Sequence, residues 1–258
     1  MELVYNEKTI LNNFLENNKC DIKPNKLISI LIKYYYTNGI EDKLVLRENI
    51  LNDLYKIDDK NTRNVWINKV DKSIVGFFNG IKNGYITLDL IDVDSVDIYE
   101  EELNIIESVS QPKFKKFLFV LLVWTKVYNK FNRNSVMENP RDLLKLSKCE
   151  VGNTYYRNMM FHELKELGLI LSERKKGIYK TKINYLKEEG EIAFTVDDIE
   201  NAIYYYLNWS GERWIKCSEC GEYFKKTNNK ANSLKYCNKC SKKKDLEKKL
   251  RYYHKNNS

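Results

Sequence analysis

The sequence predicts a mainly α-helical chain of several abutting units, the last of them a small module closed by four cysteines. Three observations predict it. Apolar residues recur at helical spacing through most of the first 84 residues; helices and a hairpin follow between residues 112 and 188; and two Cys-x-x-Cys pairs stand near the end. At 258 residues there is room for more than one hydrophobic core.

With 43% hydrophobic and 31% charged residues, the composition is that of a soluble globular protein. The longest apolar run, Phe117 to Trp124, has eight residues. As a helix it would rise only about 12 Å, whereas a membrane span needs roughly 20 apolar residues. It therefore reads as a core helix. The opening "MELVYNEKTI" has no basic leader followed by an apolar stretch, so a cytoplasmic location is expected. In that compartment six cysteines argue for thiols and metal ligation over disulfides. Cys20 and Cys149 stand alone and read as ordinary semi-buried residues.

Charge is unevenly spread. Residues 1–110 carry 13 Lys/Arg against 19 Asp/Glu, a net −6, and residues 111–190 carry 17 against 8, a net +9. Residues 191–210 hold four acidic and no basic residues, and residues 211–258 hold 14 basic against 5 acidic, again +9. Two basic units thus follow an acidic one, which points to a polyanionic partner for the C-terminal half.

The acidic, mostly helical unit 1–110 begins with a stripe in "NKLISILIKYYY", where Leu27, Ile28, Leu31, Ile32 and Tyr35 share a face and Asn38-Gly39 ends the helix. "EDKLVLRENILNDLYK" and "NTRNVWINKVDKSIVGFF" repeat the pattern. Alternation at Ile86, Leu88 and Leu90 then predicts a strand or an extended connector, and a helix resumes near Glu100. Asp89, Asp92, Asp94 and Asp97 lie close together, and clustered carboxylates can hold a divalent metal for phosphoryl chemistry. They also alternate with Leu88, Leu90, Val93 and Val96, and no His or Lys stands near them, so a polar face is expected and no catalytic residue is assigned.

The unit 111–190 opens with a long helix in "KFKKFLFVLLVWTKVYNKF". A second begins at "NPRDLLKLS", with Asn139 as N-cap and Pro140 in the first turn. A turn through "KCEVGN" leads to a third in "NTYYRNMMFHELKELGLI", where Met160, Leu164 and Leu167 form the expected buried stripe and Gly168 stops the helix. His162 reads as a surface histidine. Two strands then flank the turn Lys175-Lys176-Gly177, placing Arg174, Lys175, Lys176 and Lys180 near its tip.

The stretch "HELKELGLI" followed by a basic hairpin resembles a winged helix-turn-helix domain. That resemblance implies a helix in the major groove and a wing on the DNA backbone or minor groove. The groove-facing candidates are then Thr154, Tyr155, Arg157 and Asn158, with Arg and Asn suited to bidentate contacts with base edges. An acidic helical connector, 191–210, follows.

In the last unit, 211–258, the spacing is Cys217-x2-Cys220-x16-Cys237-x2-Cys240. Four thiolates so spaced satisfy one tetrahedral Zn2+ without histidine. Gly221 suits a knuckle that turns backbone N–H groups towards sulfur. Tyr223, Phe224 and Tyr236 are expected to form a small core around a hairpin through "KKTNNKANS". A basic helix follows with Leu246, Leu250 and Tyr253 on one face, and the second cysteine pair stands at its start, where the helix dipole favours thiolate. That arrangement is nearer a treble clef than a zinc ribbon.

The pattern C-x-x-C-G…Y-C-x-x-C with a basic tail resembles small four-cysteine zinc fingers of bacterial and phage DNA-binding proteins. The order winged helix, acidic connector, finger and tail strengthens the likeness, which does not extend to residues 1–110. The resemblance implies DNA binding as a class and leaves the biological role open; the expected function is a DNA-binding protein without enzymatic activity, a transcription regulator or replication-associated factor of phage or mobile-element origin. Lys242, Lys243, Lys244, Lys248, Lys249 and Arg251 are the expected phosphate contacts. Two other functions fit the charge pattern: a protein-interaction factor that engages a host enzyme through the N-terminal unit, and an RNA-binding protein.

Overall fold

The structure, a computed structural model, describes residues 3–18, 20, 22–56, 63–84, 86–149, 153–175, 178–226 and 235–256. Four helices build a first apolar cluster: α1 (Glu7–Asn17), α2 (Pro24–Thr37), α3 (Lys43–Tyr55) and α4 (Arg63–Lys82). α2 starts on Pro24, where a missing N–H is no loss, and buries Leu27, Ile28, Leu31 and Ile32. It ends at Gly39, whose φ of +87° is open to a residue without Cβ. α3 starts at Asp42, whose carboxylate accepts from the N–H groups of Leu44 and Val45 at 2.9 and 3.0 Å. Trp66, Val70 and Ile74 of α4 join Leu46, Ile50 and Leu54 of α3 in the same cluster. Near the end of α4, a Cβ on Gly80 would stand 2.3 Å from the Ile86 side chain, so glycine is what lets the next segment fold back so closely.

Residues 86–95 form the extended connector rather than a strand, and they run beside the beginning of the chain. Glu7 N donates to Ile91 O at 2.9 Å and Val93 N to Tyr5 O at 2.8 Å. Extended backbone sends successive side chains to opposite faces. Leu3 and Tyr5 accordingly pack on the second apolar cluster while Val4 packs on the first.

That second cluster is centred on α6 (Pro112–Lys130). Phe117 to Thr125 are each at most 2% exposed, so this helix is buried on every side. Each large apolar side chain so placed contributes about 1.5–3 kcal/mol relative to exposure. Around it stand β1 (Val96–Tyr99), α5 (Glu100–Glu107), α7 (Pro140–Leu146), α8 (Thr154–Glu166), β2 (Ile170–Lys175), β3 (Ile178–Ile183), β4 (Ile192–Val196) and α9 (Ile203–Trp209). β1 pairs antiparallel with β4, Val96 opposite Val196, and β2 with β3, Ile170 opposite Ile183. Val136 adds a bridge to Thr181, exchanging backbone bonds of 2.8 and 2.9 Å. The fully buried Glu102 is satisfied by the N–H groups of Tyr99 and Lys187, both at 3.0 Å, and by Lys126 at 2.9 Å.

The last elements are β5 (Trp214–Lys216), β6 (Tyr223–Lys225) and α10 (Asn238–Asn256). Among the described residues no helix is long and apolar enough to cross a membrane.

The structure corrects several expectations. Leu167 is 56% exposed, because it caps α8 just where Gly168, at φ +68°, turns the chain away from the core. Met160 and Leu164 are buried, and Phe161, not Leu167, joins them on the cluster. The segment 191–210 is not helical throughout: its first part is β4, drawn into extended form by pairing with β1. The apolar residues from Val93 to Val109 belong with α6 and not with α1–α4.

Candidate metal centre and basic cleft

The first cysteine pair sits in the turn between β5 and β6, which pair antiparallel with Ile215 opposite Phe224. Gly221 has φ +72° and donates its N–H to Cys217 O at 2.9 Å, closing the knuckle. The second pair lies at the start of α10, with Cys237 just before it and Cys240 in its first turn. The four sulfurs, from Cys217, Cys220, Cys237 and Cys240, lie within 4.8 Å of one another, compatible with one metal ion. Among the described residues no other group of His, Cys, Asp and Glu gathers in this way.

Backbone dipoles favour thiolate at one of the four. Burial works to raise the Cys217 thiol, but the N–H groups of Cys237, Cys220 and Glu219 outweigh it and bring it to about 6. The N–H of Cys237 is 3.3 Å from that sulfur. Cys240 is pushed up to about 12 by burial and by the sulfurs around it. Cys217 thus offers a ready thiolate, and a bound cation would draw protons off its thiol ligands.

The module is docked on the second cluster. Tyr204 of α9 stacks on Tyr223 of β6 at 4.2 Å and 8°, and packs against Trp214 at 5.0 Å. The Asn208 side chain imitates a neighbouring strand, accepting from Trp214 N at 2.6 Å and donating to Trp214 O at 3.0 Å. Lys216 pairs with Asp198 at 2.9 Å; burial works to raise the Asp198 carboxyl, but the bonds from Lys216 and Asn201 hold it below its usual range. Tyr223 was expected to serve a core within the module, yet it packs on the second cluster. The expected hairpin through residues 225–233 lies mostly outside the described residues.

A second feature lies between α8 and the β2–β3 hairpin. Asn153 caps α8 by accepting from Tyr156 N at 3.0 Å, and Gly168 turns the chain back into the hairpin. A cleft of about 300 Å³ results, lined by Arg157, Asn158, His162, Lys165, Arg174 and Tyr179. The Arg174 guanidinium lies 5.1 Å over the Tyr179 ring. A neighbouring hollow shares Lys165 and adds Lys180 and Lys182. The expected residues Arg157, Asn158 and Arg174 thus line one cleft, Lys180 lines the neighbouring hollow from the other face of the hairpin, and Thr154 and Tyr155 are exposed on α8 outside either hollow. Lys176 lies outside the described residues, as does the side chain of Lys175.

Lys165 and Lys182 were missed by sequence reasoning. Lys165 comes two turns after Arg157 and Asn158, and Lys182 alternates with the buried Thr181 and Ile183, a period-2 signal that would have found it. His162 is a surface side chain, 4.0 Å from Glu166.

Along α10, Lys242, Lys243, Lys248, Lys249 and Arg251 are exposed. Lys244 instead binds Glu219 at 2.7 Å and lies 4.7 Å over the Tyr236 ring, tying the helix to the knuckle. Leu246 and Leu250 are exposed, and the Tyr253 side chain lies outside the described residues.

The aspartates do not converge. Asp92 caps α1, accepting from Lys8 N at 2.7 Å, Thr9 N at 3.1 Å and the Thr9 hydroxyl at 2.6 Å. Asp97 accepts from the Thr195 hydroxyl at 2.6 Å, and Asp89 and Asp94 are exposed. Cys149 is buried, which raises its thiol, and Cys20 is half-buried. Comparison with known protein families, with curated proteins and with solved structures finds no match to this chain.

Proposed function

We propose that this chain is a zinc-containing, nucleic-acid-binding protein whose preferred partner is double-stranded DNA. The observation that carries the reading is the cleft between α8 and the β2–β3 hairpin, where Arg157, Asn158, Lys165 and Arg174 meet. The order supports a winged helix: α6, the Val136 bridge to β3, α7, α8, then the β2–β3 hairpin. In that reading α8 is the groove helix and the hairpin is the wing. Arg157 and Asn158 read bases, while Lys165, Arg174, Lys180 and Lys182 meet phosphates.

Zinc is the metal this donor set favours. Bonds of about 2.3 Å to a tetrahedral zinc ion put sulfurs about 3.8 Å apart, and the Cys220 and Cys237 sulfurs lie at 3.8 Å. Its role is structural, because four protein ligands leave no open position. Exposed Lys242, Lys243, Lys248, Lys249 and Arg251 on the helix it holds add contacts blind to sequence.

A second reading, single-stranded RNA or DNA, is favoured by the Tyr155 and Tyr252 rings, 75% and 73% exposed, on which bases can stack. Binding of the intact chain to duplex DNA, single strands and structured RNA at two salt concentrations tests both. Duplex binding that Arg157→Ala weakens by about 1–3 kcal/mol on a preferred site and little on random duplex supports the first reading. Binding confined to single strands replaces it with the second, and binding to none rejects both. Elemental analysis is expected to find one zinc per chain; protein purified without chelator and free of zinc overturns the assignment.

A further inference from the structure

The two apolar clusters meet over an open cleft of about 270 Å³ that holds none of the residues discussed above as contacts for nucleic acid or metal. Ile30 and Phe77 of the first cluster and Leu3 and Phe131 of the second line it. Concave, mainly apolar hollows at such junctions are the usual setting for small ligands.

Charge lies at the floor of this cleft. Glu7 and Lys33 are 8% and 9% exposed, and the Glu7 carboxylate accepts from Lys33 at 2.8 and 2.9 Å and from Ile91 N at 3.2 Å. An ammonium has three N–H groups, so Lys33 keeps one donor for another acceptor. A buried ion pair is a weak source of stability, and an apolar pair of the same volume would serve the fold as well. At the rim stands Arg133, exposed and, among the described residues, paired with no carboxylate. Among the described residues, Glu7 is the single carboxylate in the lining.

The mouth is held open at a cost. Gly76 stands inside the 20-residue α4, where glycine is about 1 kcal/mol worse than alanine. Gly80, one turn on, is required by the approach of Ile86, but a Cβ on Gly76 would meet nothing within 4 Å. No packing contact asks for glycine there. A longer side chain at this position would lie across the cleft.

We propose that this cleft binds a small monocarboxylate with an apolar body. The carboxylate sits between the spare Lys33 donor and the Arg133 fork, which matches two carboxylate oxygens. The body lies against Ile30, Phe77 and Phe131.

The test is calorimetric titration of the intact chain with benzoate and hexanoate, with benzyl alcohol and inorganic phosphate as controls. One-to-one binding of a carboxylate with a ligand-dependent rise in Tm is expected. Arg133→Gln should weaken it about tenfold or more. Gly76→Leu should abolish it while leaving the protein as stable as before, since leucine favours helix. Three results overturn the proposal: no saturable binding of either carboxylate up to about 10 mM, binding unchanged in both variants, or phosphate or the alcohol binding as tightly as the carboxylates.

Discussion

The Tyr204 and Tyr223 rings lie 4.2 Å apart and 8° from parallel, so the link between α9 and the cysteine module is a face-to-face stack rather than a linker. The module is small, and four cysteines compatible with one metal ion gather at its centre. The stack, with Trp214 beside it, is what gives the module a fixed place on the second cluster.

Tyr223→Ala should release the module without emptying the metal centre. The loss is about 0.5–1.5 kcal/mol from the ring pair, with the buried area in addition. The expected readout is faster proteolytic cleavage in residues 209–214 at unchanged metal content. Unchanged cleavage would show that the Asn208 and Lys216 contacts suffice.

Metal removal should unfold the module and spare the rest. A structural zinc contributes about 10–16 kcal/mol to such modules. Chelation, or Cys237→Ser, is expected to lose helical signal from α10 while the α1–α4 core keeps its protection from amide exchange. Loss of protection in α2 and α3 on chelation would contradict this.

Asp92→Ala should destabilise the fold by about 1–2 kcal/mol, because it strips the cap from α1. Asp94→Ala, at an exposed position, should stay within about 0.5 kcal/mol. Denaturant midpoints measure both. A metal-dependent cleavage or polymerising activity lost in Asp92→Asn combined with Asp94→Asn would instead assign the cluster a catalytic role.

Acid should weaken the contact between α5 and α9. Burial works to raise Glu107, but Lys115 at 2.6 Å and the Tyr206 hydroxyl at 2.6 Å outweigh it and hold its carboxyl below the usual range. A depressed carboxylate contributes stability that is complete above its unfolded value, about 4.3, and is lost as pH falls through the folded one. Glu107→Gln should therefore be less stable than wild type at neutral pH, and the gap should close as pH falls below about 4. A gap constant across thermal melts from pH 7 to 3 would rule out this pairing as the source.

The helices were legible because each carries its own pattern and punctuation: the Leu27–Ile28–Leu31–Ile32 stripe, the Asn139 cap, Gly168 at the end of α8. The metal centre was legible because the ligands of a small module crowd into one stretch. What escaped depends on distant partners. β1 has four residues and β4 five, and their pairing spans nearly a hundred positions, so neither announces itself locally. Leu167 obeys the helical period and is still exposed, since the chain turns there. Asp92 reads as one of four clustered acids until α1, some 84 residues away, is seen to begin on it.

The alternation of Leu3, Val4 and Tyr5 governs how the molecule melts. Tyr5 packs edge-on to Trp124 at 5.8 Å, Leu3 N donates to Glu138 at 3.2 Å, and Val4 fills the first cluster between them. Neither cluster can open without stripping side chains from the other. Heating should therefore give one cooperative transition for both, with van't Hoff and calorimetric enthalpies in agreement. Cutting the chain near residue 90 should leave the second cluster without Leu3 and Tyr5, which it regains only on recombination.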